Sequence, residues 1–270
     1  MKTRLIGAVA IFTVIISGMS FVKNESKPTL KEENVTYTAD GVALKGFVVY
    51  DESKTGKRPA VLVVHEWWGL NDYAKSRARQ LAELGYIAMA VDMFGNGKTA
   101  ANPQQAQELT APFYKDPQLS KIRLDAAITK VKEFKQTDGA NIAAIGYCFG
   151  GSVVLNAAKL GADLKGVVSF HGGLAGVPAN KELLKAKILV CHGEADKFVP
   201  QKDVEAFKQA MDSIGADYTF KSYKGATHAF TNPDATKIGK QFNMPIEYNA
   251  AADKASWNDM RNFLDRIFKK

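Results

Sequence analysis

A cysteine stands between two apolar runs in the segment IAAIGYCFGGSVVLNAAKLG, residues 142–161. The first four residues are typical of a short buried strand, and the second half of the segment is typical of a helix. A chain that turns sharply from a strand into a helix needs small residues on both sides of the turn, and Gly146 and Gly150 supply them. We therefore predict that Cys148 is presented at the end of a sheet, where its thiolate can attack a carbonyl carbon.

Two other residues that support nucleophilic catalysis come later in the chain, each after a predicted strand. Asp196 lies in GEADKFVP, and His228 lies in KGATHAF. We predict that His228 accepts the thiol proton of Cys148 and that Asp196 orients the imidazole. The chain order is nucleophile, acid, base, which is one of the known arrangements of such a triad. The helix that begins after Cys148 would also favour a thiolate.

Attack on a carbonyl creates an oxyanion, which needs hydrogen-bond donors already in place. The backbone N–H of Phe149, directly after the nucleophile, is one expected donor. The other is the backbone N–H of Trp67, in the loop after an earlier strand. We expect four further side chains to line the substrate pocket: Trp68, Tyr114, His171 and Phe230.

The catalytic candidates require a sheet whose strands end at one edge. The continuous apolar runs 60–65 and 86–92 are typical of parallel strands covered on both faces. Strands and helices alternate after a leading hairpin with Asp40-Gly41 at its turn. This pattern predicts an α/β fold, with a mostly parallel doubly wound sheet, helices on both faces and an N-terminal antiparallel hairpin. In such sheets ligands bind at the carboxyl ends of the strands, where the three candidates fall.

The N-terminal residues differ in composition from the rest. Lys2 and Arg4 precede an uncharged apolar run that continues to residue 22. We interpret residues 1–22 as a secretory signal peptide, which predicts export to the periplasm or secretion. An uncleaved membrane anchor is one alternative, because the run has the minimum length for a bilayer span, and a disordered tail on a cytosolic protein is another. Residues 23–33 are predicted to be a linker, and residues 34–270 a single domain.

The net charge of +8 does not indicate a nucleic-acid partner, because the basic residues are scattered among acidic ones. We expect a monomer that acts on a small molecule without a metal or cofactor. The pair His65-Glu66 lacks the second histidine of a zinc-binding H-E-x-x-H motif. Cys191, the other cysteine, lies in the apolar run AKILVCHG and is expected to be a buried free thiol, with a disulfide to Cys148 as the alternative.

Four motifs resemble those of the dienelactone hydrolase family of the α/β-hydrolase superfamily: HEWWGLN at 65–71, GYCFGG at 146–151, GEADKFVP at 193–200 and ATHAFTNP at 226–233. The resemblance covers about residues 32–270. It implies the α/β-hydrolase fold and a Cys148–His228–Asp196 triad. It also implies hydrolysis of ester or lactone bonds of small organic acids through an acyl-enzyme, as in carboxymethylenebutenolidase. Finally, it implies that Glu66 contacts the resting thiol and helps to generate the thiolate when substrate binds.

The chain departs from the well-studied dienelactone enzyme where that enzyme uses arginines to hold the substrate carboxylate. Asn232 stands four residues after His228, in place of one arginine, and the segment 102–116 contains none. An amide does not replace a bidentate guanidinium, which argues against dienelactone as the natural substrate. Arg77 and Arg79, on the helix after HEWWGLN, are expected on the helix surface.

Three other functions are compatible with these residues. The first is a general carboxylesterase or thioesterase without a preference for lactones. The second is a binding protein that has this fold without turnover. The third is a thiol redox protein, which would usually need a second cysteine close to the first, and Cys191 is the only candidate.

Overall fold

The computed structural model describes residues 27–268, which contain an eight-stranded sheet with helices on both faces. The strands are β1 (Leu30–Ala39), β2 (Val42–Asp51), β3 (Arg58–Val64), β4 (Ile87–Val91), β5 (Thr137–Tyr147), β6 (Gly166–Phe170), β7 (Lys187–Gly193) and β8 (Tyr218–Tyr223). The helices are α1 (Asp72–Glu83), α2 (Pro103–Lys115), α3 (Gln118–Lys132), α4 (Phe149–Lys159), α5 (Gln201–Ser213), α6 (Ala235–Phe242) and α7 (Ala250–Phe268).

The strand order is β1-β2-β4-β3-β5-β6-β7-β8. Strand β2 pairs antiparallel with both β1 and β4, and every later pairing is parallel. The β1–β2 turn uses Asp40 and Gly41 with positive φ values of 49° and 69°, as a tight hairpin turn requires. The predicted fold class, a mostly parallel sheet with helices and an N-terminal antiparallel hairpin, is confirmed.

The core consists of two layers, one on each face of the sheet. On β3, Leu62 and Val64 face the layer formed with α3, α4 and α5, whereas Val61 and Val63 face the layer formed with α1 and α7. All four side chains are completely buried. Because successive side chains of a strand point to opposite faces, a strand covered on both sides must be apolar throughout. Burial of each such side chain contributes about 1.5–3 kcal/mol.

Strand β1 begins at Leu30, so residues 30–33, which we expected in the linker, belong to the sheet. Three of these four residues are charged, but β1 is an edge strand, and an edge tolerates charge. Glu32 forms an ion pair with Arg79 at 2.6 Å. The predicted signal peptide and residues 23–26 lie outside the described residues. Within residues 27–268, no helix has the length and apolarity that crossing a bilayer requires.

Helix α6 was not expected from the sequence. It is short and follows Asn-Pro-Asp, and the residue after its last one, Asn243, has the left-handed conformation and caps the helix. Its buried residues are Ala235 and Gly239, too few to produce a clear helical pattern of apolar residues. A carbon added at Gly239 would lie 2.5 Å from the carbonyl oxygen of Ile246, so the helix packs closely on the segment that follows it.

Candidate active site

Cys148 lies at the sharp turn between β5 and α4, with φ 54° and ψ −116°. A Cβ at Gly146 would lie 2.0 Å from the carbonyl oxygen of Gly150, and a Cβ at Gly150 would lie 2.4 Å from that of Val64. Both positions therefore exclude any side chain, as the sequence motif predicts. A non-glycine residue with positive φ carries strain of about 1–3 kcal/mol, which the surrounding sheet and helix must offset.

The structure brings together the three side chains that the sequence placed after separate strands. The Cys148 Sγ lies 3.0 Å from Nε2 of His228, and Nδ1 of His228 lies 2.8 Å from Oδ2 of Asp196. The other carboxylate oxygen of Asp196 accepts a hydrogen bond from the N–H of Phe198 at 2.8 Å. A carboxylate can only accept, so Nδ1 of His228 carries the proton and Nε2 faces the sulfur.

The environment of His228 favours its charged form. Burial acts against a charged imidazole, but the sulfur of Cys148 and the carboxylate of Asp196 outweigh it, and they hold the pKa of His228 well above its ordinary value. An imidazolium beside the sulfur stabilises the thiolate in turn. The geometry is therefore suited to transfer of the thiol proton to His228.

Glu66 is buried and, in the described part of the chain, makes no hydrogen bond to the sulfur of Cys148. Its Oε2 accepts a hydrogen bond of 2.6 Å from the amide of Asn232, and burial raises the pKa of the carboxyl to about 7. Within residues 27–268, no hydrogen bond joins Glu66 to Cys148. The resemblance implies a resting contact between Glu66 and the thiol of Cys148, and no such hydrogen bond is present between these two described residues. The carboxyl of Glu66 instead accepts from Asn232, and the sulfur of Cys148 contacts Nε2 of His228.

The two residues expected to supply oxyanion donors, Phe149 and Trp67, come after different strands: Phe149 directly follows Cys148 in the chain, and Trp67 lies in the segment after β3. Phe149 is the first residue of α4, where a backbone N–H has no partner within the helix. Trp67 follows β3 and lines the same cavity as Cys148. In the described part of the chain, no hydrogen bond uses either N–H. Their role as oxyanion donors stays a prediction, and neither N–H is engaged by another group within residues 27–268.

A cavity of about 540 Å³ opens beside Cys148. Trp68 and Tyr114 line it, and Tyr114 is 62% exposed. Residues of the unexpected helix α6 and the segment after it also contribute to the wall, among them Ile238 and Met244. Neither residue was predicted from the sequence, because no pattern in this segment indicates a helix.

His171 and Phe230 do not line the cavity, so their assignment to the pocket was wrong. Both are buried, at 1% and 0% exposed. The ring of Phe230 packs between those of His171 and Tyr223, with centroids 5.3 and 5.5 Å away. His171 directly follows β6 and Phe230 comes two residues after His228, so the two rings pack against each other where these segments meet.

His171 instead supports the turn at the nucleophile. Its Nδ1 accepts a hydrogen bond from the backbone N–H of Cys148 at 3.1 Å, so its proton is on Nε2, which donates to Oγ1 of Thr231 at 2.7 Å. Burial and the charge of His228 lower the pKa of His171 well below its ordinary value. A neutral ring in this tautomer links the turn at Cys148 to the segment that carries His228.

Arg77 is buried rather than on the helix surface, and that expectation was also wrong. Its guanidinium donates at 2.6 Å both to Asp253 and to the carbonyl of Thr231, and it stacks on the ring of Trp257. These partners lie far along the chain, so no local pattern could indicate them. Arg79 remains on the surface, in its ion pair with Glu32.

The fold, the strained turn and the residues at the strand ends define an α/β-hydrolase. The model of the dienelactone hydrolase family matches residues 42–268, and the chain belongs to this family. A protein from Aquifex aeolicus that is named as a carboxymethylenebutenolidase is 30% identical, over 73% of this chain and 86% of its own length. A protein of the same name from Methylorubrum extorquens is 32% identical, over 65% of this chain and 64% of its own length.

Solved structures show the same relationship. A dienelactone hydrolase-like promiscuous phosphotriesterase from metagenomic libraries is 34% identical, with a TM-score of 0.83 over 89% of this chain and 99% of that one. A dienelactone hydrolase structure from Klebsiella pneumoniae, at 21% identity and a TM-score of 0.75, shares the fold. The protein is therefore a hydrolase of the dienelactone hydrolase type, with a small-molecule substrate.

We expect the variant Glu66→Gln to be more stable than the parent protein above pH 7 and about equally stable below pH 4.5. The folded protein holds the pKa of Glu66 near 7, against 4.5 for the ordinary group. A raised pKa means that stability is lost as the pH rises through this interval, by about 3 kcal/mol. Glutamine keeps an oxygen that can accept from Asn232.

Urea unfolding at about pH 5 and pH 8 measures this difference. The stability gained by Glu66→Gln should grow between the two pH values. A gain of equal size at both would show that Glu66 ionises in the folded protein as it does in the unfolded chain.

Proposed function

We propose that the protein cleaves carboxylic esters or lactones of small organic acids through a thioester on Cys148. The observation that carries this proposal is the contact of the Cys148 sulfur with Nε2 of His228 at 3.0 Å, with Asp196 on the other ring nitrogen at 2.8 Å. The family relationship supports the reaction class. The cavity of about 540 Å³ has the size of a small-molecule site.

In the first half of the reaction, Nε2 of His228 accepts the thiol proton and the sulfur attacks the carbonyl carbon. The N–H groups of Trp67 and Phe149 donate to the oxyanion, and loss of one such donor typically costs about 3 kcal/mol of barrier. The C–O bond then breaks, and the leaving alkoxide takes the proton from Nε2 of His228. An acyl thioester remains on Cys148.

In the second half, water attacks the thioester carbonyl and gives its proton to His228. The C–S bond breaks, the acid leaves and the thiol is restored. Asp196 stabilises the imidazolium in both halves. These steps use water and no metal or cofactor. Glu66 is our proposed auxiliary group: it lines the same cavity as Cys148, and a carboxylate released from Asn232 would be a second base for the thiol.

Replacing Cys148 with alanine should reduce hydrolysis of 4-nitrophenyl acetate by at least about 10³-fold, and His228→Ala should have an effect of similar size, because triad members act as a unit. Release of 4-nitrophenolate measures the rate. Intact mass spectrometry after brief mixing should show an acetylated protein that Cys148→Ala does not form.

Cys191→Ala is the matched control. Cys191 is a completely buried free thiol in β7 and does not line the cavity, so this variant should keep kcat/KM close to that of the parent. Near-normal turnover by Cys148→Ala would disprove the thiol mechanism.

A second candidate activity is hydrolysis of neutral phosphotriesters. The solved structure from metagenomic libraries that is 34% identical to this chain, and is matched over 99% of its own length, is described as a promiscuous phosphotriesterase. The same thiolate would attack phosphorus and expel an aryloxide, and water would then cleave the S–P bond. We expect diethyl 4-nitrophenyl phosphate to release 4-nitrophenolate with a lower kcat/KM than the acetate ester. Retention of this activity by Cys148→Ala would exclude a shared nucleophile.

We also propose that the protein is exported, with residues 1–22 as a cleaved signal peptide, and that it acts as a monomer without nucleic acid. The basic residues Lys2 and Arg4 before an apolar run support export. N-terminal sequencing of protein recovered from the producing cell should show a mature chain that begins after residue 22. A chain that retains these residues in the membrane fraction would indicate an anchor instead.

A further inference from the structure

The cavity beside Cys148 contains acidic side chains and no lysine or arginine among its described lining residues. The carboxyl groups belong to Glu66 and Asp203. Aromatic and aliphatic side chains form much of the remaining wall, including Trp68, Phe198 and Ile238. A substrate therefore meets an apolar surface with local negative charge.

Two cationic groups close to Cys148, those of His228 and Arg77, already have partners. His228 lines the cavity, but its two nitrogens contact Cys148 and Asp196. Arg77 lies behind the segment at Thr231, where its guanidinium binds Asp253 and a backbone carbonyl. Neither group is available to pair with a charged part of the substrate.

Asn232 strengthens this conclusion. Its amide donates to Glu66 at 2.6 Å, and its Oδ1 accepts from the backbone N–H of Asp234 at 3.0 Å. Asn232 is 3% exposed, and its contact with Glu66 is buried. A carboxylate placed here would meet the carboxyl of Glu66 rather than a positive charge.

We propose that the cavity selects substrates with an uncharged acyl part, such as neutral esters and lactones, and discriminates against those that carry a carboxylate. This inference rests on the proposed function and names its substrate class. Moving a carboxylate from water into an apolar site without a cationic partner is costly, and repulsion by Asp203 and ionised Glu66 adds to that cost.

Two esters that differ only in the distal group of the acyl chain test the proposal: methyl 4-nitrophenyl adipate, which ends in a methyl ester, and 4-nitrophenyl hydrogen adipate, which ends in a carboxylic acid. They have the same leaving group and the same chain, and only the second is an anion at pH 8. We expect kcat/KM to be about 100-fold lower for the acid, with most of the difference in KM. Equal values would overturn the substrate class and leave the ester hydrolase intact. No turnover of either ester would overturn the proposed function and this inference with it.

A charge reversal inside the cavity should change this preference. Asp203→Lys is expected to raise the ratio of kcat/KM for the acid to that for the methyl ester by about 10-fold. Glu205→Lys makes the same change of charge on the exposed side of α5, away from the cavity, and should shift the ratio by less than about twofold. An equal change of this ratio in both variants would show that the overall charge of the protein, and not the cavity, discriminates between the two esters. That result would overturn the proposal.

Discussion

The site depends on one close backbone approach, at the turn between β5 and α4. Gly150 lies so near the carbonyl of Val64, and Gly146 so near that of Gly150, that no side chain fits at either position. This contact fixes the start of α4 against the ends of β3 and β5. Cys148 is thereby held with a positive φ, its thiol is directed into the cavity, and the N–H of Phe149 is left without a helical partner.

The parallel register of the sheet supplies the rest of the site. Strands β5, β6, β7 and β8 are neighbours in that order, so the residues after them meet at one edge. Cys148, Asp196 and His228 therefore converge although they are distant in the chain. The turn at Cys148 is further tied to the His228 segment through His171 and Thr231. A movement of either segment would disturb the contact between sulfur and imidazole.

The proposed substrate preference depends on the charges around Cys148. Asp196 and the sulfur of Cys148 favour a charged His228. Glu66 is buried against the neutral amide of Asn232, and burial raises the pKa of the Glu66 carboxyl to about 7. His228 is thus paired with Cys148 and Asp196, and no lysine or arginine is among the described residues that line the cavity. This distribution of charge is the basis of the proposed preference for uncharged substrates.

Much of this architecture was predictable from the sequence, because its causes are local. Alternating apolar runs predicted the sheet, and the glycines around Cys148 predicted the turn that presents it. The order of Cys148, Asp196 and His228, each after a different predicted strand, indicated the chemistry they would perform. Backbone periodicity and steric exclusion act over a few residues, so a short stretch of chain is enough to specify them.

The tertiary structure alone decided the surroundings of these residues. It covered His171 and Phe230, which the sequence had suggested for the pocket, and it paired Arg77 with Asp253 across the fold. It also placed the unexpected helix α6 beside the cavity, and it made Asn232, rather than Cys148, the hydrogen-bond partner of Glu66. Burial and the choice of a hydrogen-bond partner depend on residues far apart in the chain, so they are settled only when the elements pack together.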